Sequence, residues 1–301
     1  MMWGDDVNWQ PMTTSSIPAP SALRRHSPAP DRQAPLSPPR ILVFDSGVGG
    51  LSILQAVRAR LPGCDYFYAC DNAAFPYGTK DEDTLVVRVE QVLKTVIAQT
   101  HPDVVVVACN TASTLVLPRI RSHFHDPVVG VVPAIKPAAA ASRTGVFGLL
   151  GTPGTVARAY TQNLIDEFAP QCTVVRVGGA ALVEMAEAKL RGATVDRDQI
   201  AAILAPLFVH PALDTVVLAC THFPLLHDEL VAAAPRPVIW IDSGEAIARR
   251  VASLVPAMAA DCTPVAARVR TAIFTARNAD ISLLEPTLSA LGCEHIDYVL
   301  I

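Results

Sequence analysis

The sequence predicts an α/β protein: two similar parallel-sheet α/β domains facing each other across a cleft, related by a pseudo-twofold duplication. Three observations point there. Short runs of β-branched and aliphatic residues alternate with stretches of helical periodicity, the pattern of β-α-β units and a parallel sheet. The strand-like runs are apolar throughout, as expected of strands covered on both faces. Two of them end alike, in Val104-Val-Val-Val-Ala-Cys-Asn-Thr111 and Thr215-Val-Val-Leu-Ala-Cys-Thr-His222. Each brings a cysteine, Cys109 or Cys220, to the carboxyl end of a buried strand, where open α/β sheets form their sites.

The elements follow in order. Ile41-Leu-Val-Phe44 reads as the first strand, Asp45-Ser-Gly-Val-Gly-Gly50 as a tight glycine turn, and residues 51–61 as a helix. Tyr66-Phe-Tyr68 is a strand, and residues 71–78 form a loop containing Pro76 and Gly78. Apolar residues at Val86, Val89, Val92, Leu93, Val96 and Ile97 give a helix over 83–100. The Cys109 strand is followed by a helix over 113–123 and a strand over 128–132. The pattern then starts again: a strand over 145–150 ending in Gly151-Thr-Pro-Gly-Thr155, a helix over 156–168, a strand over 173–177, and helices over 182–190 and 198–208. After the Cys220 strand, Val238-Ile-Trp-Ile-Asp-Ser-Gly244 echoes the first Asp-Ser-Gly turn, and 245–254 is helical. Residues 269–301 carry no decisive pattern. The interval from Asp45 to Cys109 nearly matches that from Thr152 to Cys220, which is the signature of the duplication.

Length and composition bound the function. A chain of 301 residues, 51% of them hydrophobic, suffices for one large or two medium domains with a sizeable core. A net charge of −4 gives no sign of a nucleic-acid-binding or polybasic membrane surface. The 7 cysteines are odd in number and form no C-x-x-C pair, which argues against a disulfide framework or a zinc knuckle and for a reducing, cytoplasmic compartment. No apolar run approaches the roughly 18 residues of a membrane span. Residues 1–39 are rich in Pro and Ser, lack the apolar core of a signal peptide, and read as a disordered tail.

Two thiols delivered in the same way suggest inversion at an acidic carbon. One base removes a proton from one face of the carbon and the conjugate acid opposite returns one; walls from two domains suit that geometry. Thiolates form at an accessible pKa, about 8.5 unperturbed. Asp45 on one side and His222 on the other could assist them. The loop at Gly47, Gly49 and Gly50 fits neither G-x-G-x-x-G nor a Walker pattern, but a helix N-terminus behind it presents N–H groups suited to a carboxylate. Thr152-Pro-Gly-Thr155, Asn110-Thr111 and Tyr77-Gly78 are each ordinary caps or turns alone; together they could ring a small zwitterion.

Other readings are weaker. A Cys-His hydrolase uses only one of the two cysteines. Cys109, Cys220 and His222 lack the ordinary spacing of metal ligands. A pyridoxal-phosphate racemase needs a Schiff-base lysine, and nothing around Lys80 or Lys136 suggests a cofactor pocket. A non-catalytic amino-acid-binding protein would suit the cleft but would not need two strand-end thiols.

At this level of detail the chain resembles the glutamate racemases of the aspartate/glutamate racemase family. The matching stretches are Val43-Phe-Asp-Ser-Gly-Val-Gly-Gly-Leu51, Ala74-Phe-Pro-Tyr-Gly78, Ala108-Cys-Asn-Thr-Ala-Ser113, Gly130-Val-Val-Pro-Ala-Ile-Lys136, Gly148-Leu-Leu-Gly-Thr-Pro-Gly-Thr155, Cys220-Thr-His-Phe-Pro-Leu-Leu226 and Ile241-Asp-Ser-Gly244. The resemblance implies a cofactor-independent, metal-free enzyme that interconverts L- and D-glutamate and supplies D-glutamate to peptidoglycan; an aspartate racemase is the nearest alternative. It implies Cys109 and Cys220 as the two acid/bases. It implies Asp45, Ser46, Pro76, Tyr77, Gly78, Asn110, Thr111, Thr152, Thr221 and His222 as substrate contacts. An acidic residue often linked to such sites is best matched by Glu184. It also implies a discontinuous first domain, 40–135 with 246–301, around a second at 136–245. Some longer members are activated by a peptidoglycan nucleotide precursor bound near the hinge, and Arg121, Gly130 and Lys136 match that region. The oligomeric state stays open, with a homodimer as the assembly to test.

Overall fold

The computed structural model describes residues 38–124, 127–255 and 268–301. The segment expected to be a disordered tail lies outside them, apart from residues 38 and 39.

The first strand, β1 (Arg40–Asp45), is flanked by β2 (Asp65–Cys70) on one side and β3 (Val104–Val107) on the other, all parallel. Helix α1 (Leu51–Arg60) links β1 to β2, and α2 (Glu82–Thr100) precedes β3. Asp81 caps α2 by accepting from the Thr84 N–H, and Leu85, Val89, Val92, Leu93 and Val96 form its buried stripe. Then α3 (Asn110–His123), β4 (Val128–Gly130) and α4 (Ile135–Ala141) complete this passage. The helix starts three residues earlier than its periodicity predicts, because extended Cys109 serves as its N-cap.

The second passage repeats the arrangement. It contains β5 (Val146–Gly151), α5 (Pro153–Ala157), α6 (Ala159–Phe168), β6 (Thr173–Gly178), α7 (Ala180–Leu190), α8 (Arg197–Phe208), β7 (Thr215–Ala219), α9 (His227–Ala233) and β8 (Ile239–Ile241). The single helix expected over 156–168 is two. Thr152 caps α5, Pro153 fills its first turn, and Arg158 is extended (φ −66°, ψ 144°) between α5 and α6. After α10 (Gly244–Leu254), the undecided C-terminal region supplies β9 (Arg268–Phe274), α11 (Ala279–Ala290) and β10 (Cys293–Tyr298). Strand β9 pairs with β2 and β10 pairs with β9, and the β2 contact joins distant residues that no local pattern announces.

Among the described residues the strands form two parallel sheets, ordered β10-β9-β2-β1-β3-β4 and β6-β5-β7-β8. In the first, the chain turns to opposite sides of β1 at β2 and β3. In the second it does the same around β5, at β6 and β7. Each sheet therefore has a topological switch point, between β1 and β3 and between β5 and β7, where a crevice opens beyond the carboxyl ends. Asp45 and Cys109 end the strands of one switch point, and Thr152 and Cys220 those of the other. The core strands are fully buried: Ile41 to Phe44 and Val105 to Val107 are 0% exposed. The two segments that pass between the sheets are tied by the Ser243 hydroxyl, which donates to Val132 O at 2.7 Å.

A buried polar cluster anchors the loop over the crevice. Asp71 is 0% exposed and accepts from Arg88 Nε and Nη2 (3.0 and 2.7 Å), Tyr77 Oη (2.6 Å) and Thr275 Oγ1 (2.6 Å). This joins α2, the loop after β2 and the end of β9. Replacing Arg88 by Met leaves the Asp71 carboxylate buried without its cation; the expected loss is about 3–5 kcal/mol in a urea unfolding experiment.

Candidate active site

The two cysteines line one cleft of about 700 Å³, counting space open to solvent, a size typical of small-molecule sites. Ser46, Pro76, Tyr77, Gly78, Asn110, Thr111, Thr152, Thr221 and His222 line it with them. Of the residues singled out in the sequence as substrate contacts, only Asp45 stands behind this lining. Arg121, Gly130 and Lys136 lie away from it: Arg121 Nε donates to Val128 O at 3.2 Å, Leu117 packs on Gly130, and Lys136 Nζ sits 5.5 Å from the Phe168 ring centroid.

The environments of the two sulfurs differ. Cys109 Sγ is 3.6 Å from Ser46 Oγ. Ser46 N donates to Asp45 Oδ1 at 2.6 Å, and Thr221 Oγ1 donates to Asp45 Oδ2 at 3.0 Å. Burial pushes the Asp45 carboxyl above its ordinary value, against the opposing pull of the His222 charge and the Thr221 hydroxyl. Burial, and then the charge of Asp45, raise the Cys109 thiol as well. Burial on this wall therefore favours the protonated Cys109 thiol.

Cys220 faces a different partner. His222 Nδ1 lies 3.8 Å from Cys220 Sγ, and Nε2 lies 2.9 Å from Glu187 Oε1. Glu187 Oε1 also accepts the Val48 N–H at 2.8 Å. Burial works against a charged His222, but the hydrogen bonds with Cys220 and Glu187 outweigh it and push the imidazole pKa up to about 10. Burial likewise opposes an ionised Glu187, and is outweighed by its bonds with His222 and Val48 and by the charge of Arg191, which hold it below the usual carboxylate value. The pair is a buried imidazolium–carboxylate, with both side chains 4% exposed.

The carboxylate that binds His222 is Glu187, three residues after Glu184, the acid singled out in the sequence. Glu184 lines the cleft but is exposed, whereas Glu187 is on the buried face of α7 with Leu182, Val183 and Ala186. The sequence carried a signal for this: Glu187 falls one helical turn after Val183, a charged residue in an apolar stripe. The glycine loop also has a tertiary role. Its Val48 N–H is used by Glu187. A Cβ on Gly47 would overlap Glu187 Oε1, and one on Gly49 would overlap the His222 ring and approach Thr221 Oγ1 to 2.7 Å. The glycines make room for the pair arriving from the other sheet.

Two further details concern ligand groups. The Tyr77 hydroxyl is bound by Asp71, so this residue can offer the cleft its backbone rather than its phenol. Asn110 Oδ1 is buried in the cleft wall with no hydrogen-bond partner among the described residues. It is an acceptor suited to an ammonium donor.

The His222–Glu187 pair makes stability depend on pH. The native imidazole holds its proton up to about pH 10, the unfolded one only to about 6.5. The contribution is thus complete below about pH 6.5 and is lost as pH rises toward 10. Stability of the unliganded protein, measured by urea unfolding, should fall between pH 6.5 and 9. The same plot for His222→Gln, which keeps a donor for Glu187, should be flatter over that interval.

Comparison with known proteins agrees with this geometry. The family model for Asp/Glu/Hydantoin racemase matches residues 51–251. A glutamate racemase of Photorhabdus laumondii is 56% identical over 219 residues, covering 72% of this chain and 76% of that one. One from Salmonella typhimurium is 48% identical over 261 residues, covering 86% and 91%. Among solved structures, Escherichia coli glutamate racemase in complex with L-glutamate and the activator UDP-MurNAc-Ala superposes with a TM-score of 0.81 at 46% identity, covering 87% of this chain and 98% of that one. A glutamate racemase isoform from Bacillus anthracis gives 0.74 at 26% identity, covering 87% and 97%. With two strand-end thiols in one cleft and these relatives along most of its length, the chain belongs to the Asp/Glu/Hydantoin racemase family, among its glutamate racemases.

Proposed function

We propose that this protein interconverts L- and D-glutamate by direct proton transfer at Cα between Cys109 and Cys220, and so supplies D-glutamate for peptidoglycan in the cytoplasm. The observation that carries the reading is the delivery of two thiols from matched strand ends into one cleft, each with its own proton partner. A thiolate on one wall takes the α-proton, and the thiol on the other wall gives its proton to the opposite face of the carbon. The products are the other enantiomer and the two sulfurs with their protonation exchanged.

The partners fit these tasks unequally. Asp45 and Ser46 serve Cys109, where burial favours the protonated thiol. His222, held by Glu187, serves Cys220 and puts a positive charge beside it. The two walls thereby differ in charge, with burial favouring the proton on Cys109. Asn110 Oδ1 receives the substrate ammonium, and the hydroxyls of Ser46, Thr111, Thr152 and Thr221 offer hydrogen bonds to its carboxylates. Glutamate rather than aspartate is favoured because curated relatives at 56% and 48% identity are glutamate racemases.

Replacing either Cys109 or Cys220 by Ala should lower racemisation of both enantiomers by about 10³-fold, within the range set by losing a positioned acid or base. A polarimetric assay checks this, and full activity in either variant sinks the mechanism. The same assay with L-aspartate should show turnover far below that with L-glutamate. Arg121, Gly130 and Lys136 are proposed as part of an effector region, since the Escherichia coli relative carries an activator. Added UDP-N-acetylmuramoyl-L-alanine should raise turnover, and Arg121→Ala should blunt the rise.

A further inference from the structure

The outer end of the Cys220 relay is Arg191, a residue that does not line the cleft between the thiols. Arg191 is the C-cap of α7, one turn after Glu187. Its Nη2 donates to Glu187 Oε2 at 2.7 Å, while Oε1 is occupied by the Val48 N–H and His222 Nε2. Glu187 thus has each oxygen assigned. The order of groups is guanidinium, carboxylate, imidazole, sulfur, with alternating sign where charged and with successive contacts of 2.7, 2.9 and 3.8 Å.

Arg191 and Glu187 together line a second, smaller cavity, with Gly47, Asn72, Asn278 and Asp280 among its other walls. Without the guanidinium, Oε2 would face this space. Water could then solvate the carboxylate and let it rotate, and His222 would lose the fixed acceptor that aims Nδ1 at Cys220. The Cys109 wall has a separate set of contacts, to Ser46 and Asp45, in which Arg191 takes no part.

We infer that Arg191 is a positioning residue for proton transfer at Cys220: it fixes the Glu187 carboxylate so that His222 is held against that sulfur and not the other. The inference rests on the racemase reading and deepens it. It also gives the near-symmetric reaction an asymmetric control, because only one of the two proton transfers depends on this chain of contacts.

The test is Arg191→Met, which keeps the aliphatic stem and removes the donor and charge. Enantiomers have equal free energies, so kcat/KM must fall equally in both directions; about tenfold is expected for one charge-assisted hydrogen bond. KM should change little. The asymmetry is read with substrates deuterated at Cα. The primary isotope effect on kcat/KM should rise for the enantiomer whose proton goes to Cys220 and not for the other. Arg191→Lys, retaining a cationic donor, should restore most of the rate. If the Met variant does not fold, Arg191→Gln carries the same test. Wild-type rates and isotope effects in the variant overturn the inference, as do isotope effects that move equally in both directions with no rescue by Lys. Absence of racemisation in the wild-type protein, run alongside, would instead defeat the racemase reading itself.

Discussion

The buried contact between Glu187 and His222 is the constraint around which the rest of the site is arranged. Two groups that would prefer water are held together at 4% exposure, each helping to keep the other charged there. One comes from α7 and the other from the turn after β7. The loop between β1 and α1 closes over both: its Val48 N–H donates to Glu187, and Asp45 at the end of β1 accepts from the Thr221 hydroxyl. The pair sets the charge near Cys220, and the bonds from Val48 to Glu187 and from Thr221 to Asp45 link the two sheets around it.

The duplication explains how the thiols come to face one another, and its breakdown explains how they differ. Both switch points place a cysteine at a strand end. Beyond that, one wall supplies a serine and an aspartate with a raised pKa, and the other an imidazolium. The Asp71 cluster adds a rigid edge by holding Tyr77 from behind, so that the loop presents its backbone to the cleft.

Much of this was legible in the sequence because it is local. Apolar runs such as Val104 to Val107 show buried strands, and the repeated Ala-Cys endings show where they lead. The features that were not legible depend on contacts between distant residues. The strand at 268–274 is defined by pairing with β2, and that at 293–298 by pairing with β9. The helix break at Arg158 lies within an apparently continuous helical pattern. Gly47 and Gly49 looked like an anion cradle because their neighbours in space, Glu187 and His222, lie far along the chain. Glu184 and Glu187 sit on one helix within a turn, and only burial separates the exposed acid from the one that binds His222.

The central claim, that two opposed thiols move protons at one carbon, is tested most directly by following L-glutamate and D-glutamate turnover in D₂O with NMR at the α-position. A two-base site predicts deuterium in the product enantiomer while the remaining substrate, early in the reaction, keeps its protium. Deuterium accumulating in the substrate as fast as in the product would mean that a single base serves both faces, and would contradict the account.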